Sequence, residues 1–217
     1  MIQCEAIEVK NLALRRGGRR LFSNLSWSIS AGQILQLQGQ NGCGKTSLLR
    51  CIAGLLPAES GTIVFNPPSE PDGFDRRTLI GWLGIEHGFK PQETVFQQCV
   101  FASQLGRNPM TRPELTKFID RSLDQMGIAQ LSPTRLHKLS RGQRQRLALT
   151  HLMLRPARLW LLDEPTLGLD LAGEEIFTGL IGNFCLSGGM VVLASHHRLP
   201  PSLPVTILQL DAIPTTA

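Results

Sequence analysis

A chain of 217 residues with 42% hydrophobic content can enclose one real core, and no apolar run approaches the roughly 18 residues that a membrane span needs. The net charge of +5 admits an anionic partner, but the lack of tyrosine and of any RNA- or DNA-reading module argues against nucleic acid. Five scattered cysteines without a Cys-x-x-Cys pair exclude a disulfide or zinc framework and suit the reduced thiols of a cytosolic protein.

Met1 to Lys10 alternates apolar and polar residues as a strand does, without the basic start and apolar block of a secretion signal. Ile7 to Leu14 and Leu21 to Ile29 read as two strands about a turn at Gly17-Gly18, with Arg15, Arg16, Arg19 and Arg20 clustered beside it. Ile34 to Gln38 is a short strand running straight into Gly39-Gln40-Asn41-Gly42-Cys43-Gly44-Lys45-Thr46-Ser47. Thr46 to Ala53 then has helical spacing, closed by Gly54. A strand, a glycine loop and a helix in that order form a phosphate cradle, because backbone N–H groups and the helix start converge on an anion. Gly39, Gly42 and Gly44 let the backbone approach closely, Lys45 brings charge to the β- and γ-phosphates, and the Thr46 hydroxyl suits Mg2+. Cys43 fills a loop position that tolerates a small side chain.

Gly61 to Phe65 is another strand, followed by a Pro-rich loop through Asp72. Leu79 to Ile85 reads as a strand entering a turn at Glu86-His87-Gly88. From Thr94 to Met126 the pattern turns helical, broken at Asn108-Pro109 and Pro113, which predicts a small helical subdomain over about 90–155. Ser140 opens the next helix in a capping box with Gln143, and Leu147, Leu149, Leu152 and Leu154 give that helix an apolar side. Leu159 to Leu162 is a buried strand ending in Asp163-Glu164, Glu174 to Cys185 a helix, Met190 to Ala194 a strand leading to Ser195-His196-His197, and Val205 to Leu210 the last strand. The alternation predicts an α/β fold with a mixed sheet core, an antiparallel β part and the small helical subdomain.

Leu139-Ser140-Arg141-Gly142-Gln143 resembles the signature turn of the ATP-binding-cassette (ABC) family, and the likeness extends over nearly the whole chain. Arg158 to Glu164 resembles that family's metal-binding strand with its catalytic carboxylate, Gly168-Leu169-Asp170 its inter-subunit loop, and His196 its switch histidine. His197 takes that place if the strand ends one residue later. The resemblance implies a single P-loop NTPase domain over 1–217 that uses ATP and Mg2+. Lys45, Glu164 and His196 would be catalytic, with Glu164 the general base, and Thr46, Asp163 and Glu86 would serve the metal. It further implies a head-to-tail dimer with a second copy, in which Ser140, Gly142, Gln143 and Asp170 serve the partner's triphosphate. Three positions depart from the family pattern: Arg141 replaces a glycine, Arg16 stands where an aromatic residue stacks on adenine, and Glu86 stands where glutamine is usual.

Arg20-Leu21-Phe22, the stretch Trp82 to Lys90 and the short length look like the ATP-binding subunits of the bacterial heme exporter of cytochrome c maturation. That narrower resemblance implies a peripheral subunit at the cytoplasmic face of the inner membrane, docked on integral membrane subunits through residues 86–105. Its ATP cycle would power release of a heme-loaded chaperone, without direct heme or nucleic-acid binding. An exporter of another small molecule fits the same catalytic residues. Soluble ABC ATPases acting on nucleic acid or on an iron–sulfur scaffold are the rivals from another class.

Overall fold

A computed structural model describes residues 4–66, 76–105 and 110–211. The Pro-rich loop through Asp72, the break at Asn108-Pro109 and the first three residues lie outside the described residues. In chain order the strands and helices are β1 (Ala6–Arg16), β2 (Arg19–Ser30), β3 (Ile34–Gln38), α1 (Lys45–Ile52), β4 (Ser60–Asn66) and β5 (Ile80–Leu83). Then come α2 (Val95–Leu105), α3 (Arg112–Gln125), α4 (Arg141–Met153), β6 (Leu159–Asp163), α5 (Leu171–Leu186), β7 (Met190–Ala194) and β8 (Val205–Gln209).

Strands β1 and β2 are joined at Gly17 and Gly18, whose φ values of 58° and 78° give the two-residue turn that fits strand twist. β4 pairs with the other edge of β1, so the first sheet is antiparallel in the order β2-β1-β4. The second sheet runs β5-β6-β7-β3-β8 with every pairing parallel. Its inner strands β6 and β7 are buried at all five positions each, as a parallel sheet covered on both faces requires.

Alternate residues of this sheet feed two cores. Leu35, Leu37, Leu159, Leu161 and Val192 pack with α1 and the antiparallel sheet, while Ile34, Trp160, Leu162, Val191 and Leu193 pack with α2 to α5. Gly81 in β5 makes room for Trp160, since a Cβ there would lie 2.6 Å from the indole Cδ1. All five cysteines are buried and none forms a disulfide. Among the described residues no helix is long and apolar enough to cross a membrane.

Of the boundaries that differ from the sequence reading, three have a clear local cause or consequence. Pro113 does not break a helix; it lies in the first turn of α3, where a missing N–H is harmless, behind a capping box of Thr111 and Glu114. β5 ends at Leu83, so residues 84–90 form an irregular segment rather than the end of a strand. α5 begins at Leu171 instead of Glu174, because the Asp170 carboxylate caps it by accepting from the Gly173 N–H at 3.0 Å.

Candidate functional site

The parallel sheet delivers three chain segments to one end: the loop after β3, the acids at the end of β6 and the histidines after β7. Residues 39–44 turn through φ values of 147°, 83° and 114° at Gly39, Gly42 and Gly44, which a side chain would oppose. At Gly39 a Cβ would also sit 2.3 Å from the Leu210 carbonyl oxygen. The Lys45 amine donates to the carbonyls of Gly39 at 2.7 Å and Gln40 at 3.2 Å, folding its charge across the loop. Cys43 is buried in the core beneath the loop, with its Sγ turned toward Gly39.

Asp163, the last residue of β6, is buried and accepts a hydrogen bond from the Thr46 hydroxyl. Burial pushes its pKa up, opposed by that bond and by the positive charges of Arg50 and Lys45. Glu164 follows at φ 48°, a left-handed turn that its N–H stabilises by donating to the Ala194 carbonyl at 2.8 Å. Its carboxylate lies 3.8 Å from His196 Nε2. The His197 ring turns the other way, 3.6 Å from the Glu174 carboxylate on α5. Of the two histidines, His196 is therefore the one that meets Glu164.

An open cleft of about 510 Å3 gathers Arg16, Asn41, Gly42, Gly44, Lys45, Thr46, Ser47, Asp163 and Glu164. Arg15 and Arg20 are drawn off to Glu59, at 3.4 and 3.1 Å, leaving Arg16 on the cleft wall. Arg50 and Ile85 also line it, and the sequence reading gave neither a role in the site. Arg50 lies in the second turn of α1, four residues after Thr46 and on the same face, which is the signal that would have found it.

Ser140, Gly142, Gln143 and Asp170 are not among the residues lining this cleft. Ser140 Oγ accepts from the Gln143 N–H at 3.2 Å and Gln143 Oε1 accepts from the Ser140 N–H at 2.9 Å, the reciprocal box expected from the sequence. Gly142 packs so closely on the loop before α5 that a Cβ would come within 2.7 Å of the Gly168 carbonyl oxygen. The Arg141 side chain runs over Gly168. Asp170 pairs with Arg146 at 2.6 Å, which holds its carboxyl below the usual range.

Glu86 is exposed and also lies outside the phosphate-loop cleft; it lines an adjoining groove of about 590 Å3 with Arg141, Arg144 and Glu164. A third groove, about 230 Å3, lies between residues 82–89, α2 and α4, with Phe101 and Leu105 exposed at its mouth. Along its floor His87 and His151 flank the Phe89 ring, each at 5.2 Å between centroids. His87 Nδ1, His151 Nε2 and Arg155 Nε are buried there without a hydrogen-bond partner. Burial, with the nearby charges of Arg155 and His87, pushes His151 down to about 4.

The ABC transporter family model matches residues 22–167. The cytochrome c biogenesis ATP-binding export protein CcmA of Dechloromonas aromatica is 37% identical over 194 residues, covering 89% of this chain and 93% of that protein. The protein of the same name from Paramagnetospirillum magneticum is 38% identical over 190 residues, 86% of each chain. Among solved structures, cbiO1 from Clostridium perfringens, part of the ABC transporter complex cbiONQ, aligns with a TM-score of 0.75 at 25% identity, over 97% of this chain and 88% of that one.

Proposed function

The chain belongs to the ABC transporter family as an ATP-hydrolysing subunit, and from that membership we propose that it powers a heme exporter of cytochrome c biogenesis. The observation that carries this reading is one cleft in which a phosphate loop meets Asp163, bonded to Thr46, and Glu164, whose carboxylate has His196 3.8 Å away.

The triphosphate lies along Gly39 to Ser47, and Lys45 exchanges its carbonyl partners for β- and γ-phosphate oxygens. Thr46 and Asp163 offer hard oxygen donors suited to Mg2+, and among the described residues no cluster of three or more His, Cys, Asp or Glu competes for a metal. That ion, once bound, neutralises charge on the phosphates. Glu164 takes the proton of the attacking water as the new bond to the γ-phosphorus forms and the bridging bond to ADP breaks. His196, within reach of Glu164, donates to the γ-phosphate or holds the water. Arg16 lays its guanidinium plane against the base. Glu86, in the groove that adjoins the cleft at Glu164, is the further candidate for the metal, and exchanging it for glutamine, with Mg2+ dependence as the readout, tests that role.

Ser140, Gly142, Gln143 and Asp170 are kept for a second copy. Two subunits associate head to tail, each presenting its serine-capped helix start to the other's triphosphate, where N–H groups and the helix dipole favour an anion. Residues 90–155 act as the helical subdomain that carries this turn. Membrane subunits dock in the groove along residues 86–105, where the Arg155 Nε–H favours a hydrogen-bond acceptor on the incoming segment and His151 Nε2 offers a second polar contact. The protein is then peripheral, at the cytoplasmic face of a bacterial inner membrane, and binds neither heme nor nucleic acid itself.

The test is genetic and biochemical. Deletion should abolish heme-staining c-type cytochromes, restored by the parent gene and not by Lys45→Ala. A pull-down from detergent-solubilised membranes should recover integral membrane subunits. Co-sedimentation with ribosomes or DNA instead, with c-type cytochromes intact, would replace transport with a soluble role.

A further inference from the structure

Gln36 is a buried amide, 2% exposed, in a strand whose neighbours Ile34, Leu35 and Leu37 are aliphatic. Such a group persists in a core only when its donors are satisfied. Its single nitrogen donates twice, to the Ser195 carbonyl at 3.1 Å and to the His197 carbonyl at 2.8 Å. The β3–β7 ladder has its last pair at Leu37 and Ala194. The Gln36 side chain therefore carries the pairing beyond the end of β7, gripping the carbonyls on either side of His196.

The surrounding contacts hold the same three residues. Ser195 Oγ accepts from the His197 N–H at 3.0 Å, and the Glu174 carboxylate draws the His197 ring toward α5. The His196 side chain is 60% exposed, so side-chain packing does little to fix it, and its direction toward Glu164 is inherited from the backbone. We infer that Gln36 is a positioning residue for His196, a two-donor clamp that sets the imidazole beside Glu164. The inference rests on the role given to His196 in the proposed function. Both hydrogens of one amide nitrogen are used, so glutamate, methionine and a hydroxyl side chain cannot reproduce the clamp.

The experiment is a double-mutant cycle on purified full-length protein, with Gln36→Met, His196→Ala and the double variant. A misplaced reacting group loses rate before it loses binding, so Gln36→Met should lower kcat by about ten- to a hundredfold while KM for MgATP stays within about twofold. In the His196→Ala background the same substitution should change kcat by less than about twofold, because the group it positions is gone. Gln36→Leu, which matches the aliphatic neighbours in β3, repeats the cycle if the methionine variant does not fold. The clamp is overturned if Gln36→Met keeps the parent rate, or costs the same factor in both backgrounds, while His196→Ala alone is slow. A His196→Ala variant at the parent rate instead removes the histidine from the chemistry, and the clamp's purpose with it.

Discussion

Glu164 holds a left-handed backbone that costs a non-glycine residue on the order of 1 kcal/mol, and the bond from its N–H to the Ala194 carbonyl fixes it there. That geometry aims a carboxylate at His196 while its neighbour Asp163 stays buried against Thr46. Glu164→Gln should keep MgATP affinity and lower phosphate release by about 10²- to 10⁴-fold, the usual worth of a general base. The arrested variant should run as a nucleotide-dependent dimer in light scattering; a monomer at saturating MgATP would count against the paired site. Asp163 titrates in the opposite sense to most folded carboxylates. Burial raises its pKa, so the native state binds the proton more tightly than the unfolded chain and loses stability as pH rises through that interval. Asp163→Asn should therefore raise the denaturation midpoint of nucleotide-free protein at neutral pH while abolishing Mg2+-dependent turnover. Residue types and spacing made Lys45 and Thr46 legible, and the resemblance to the ABC family gave the two acids their roles. Gln36 was not, because its partners are separated from it by more than 150 positions and only the sheet unites them.

At the scale of elements, α4 is the most informative, since its start is both a structural cap and the turn proposed to face a second subunit. Ser140→Ala should cost about 1 kcal/mol in chemical denaturation, as loss of an N-cap does. Its loss of ATPase activity should be much larger than that destabilisation explains. The other end of the same helix carries a pH dependence. His151 is held to about 4, so between about 6.5 and 4 the unfolded chain binds a proton that the native state refuses, and stability falls as pH falls. At most about 3 kcal/mol is involved, and His151→Phe should flatten the profile of midpoint against pH. The capping box of α4 was readable because its signal is local, two residues three apart. The start of α5 was missed for the converse reason: Asp170 was read as part of an inter-subunit loop, although it also caps the helix behind it. Pro113 misled in the same way, a helix breaker in most positions and a helix opener in this one.

For the molecule as a whole, the sheet topology brings the ends of β3, β6 and β7 together, and that adjacency turns separate motifs into a cleft. The alternation of strands and helices foretold the α/β class, but strand order depends on contacts far apart in sequence and was not legible. The sequence singles out residues 86–105 as the stretch to meet membrane subunits, whereas the unpartnered polar atoms of the groove beside α2 come from His87 after β5, His151 in α4 and Arg155 just beyond that helix. Phe101→Asp, at the exposed mouth of that groove, should strip the protein from solubilised membrane complexes in a pull-down. The isolated variant should retain MgATP affinity within about twofold, since Phe101 is absent from the lining of the phosphate-loop cleft.

The burial of every thiol has a practical corollary. Thiol-directed reagents should label the folded parent slowly, so a single cysteine introduced at Leu171, 81% exposed beside the loop proposed to meet a second copy, would be the one fast-reacting handle on the molecule. A fluorophore attached there would report when two copies close on nucleotide and when they part, without first stripping the native sulfurs from the core.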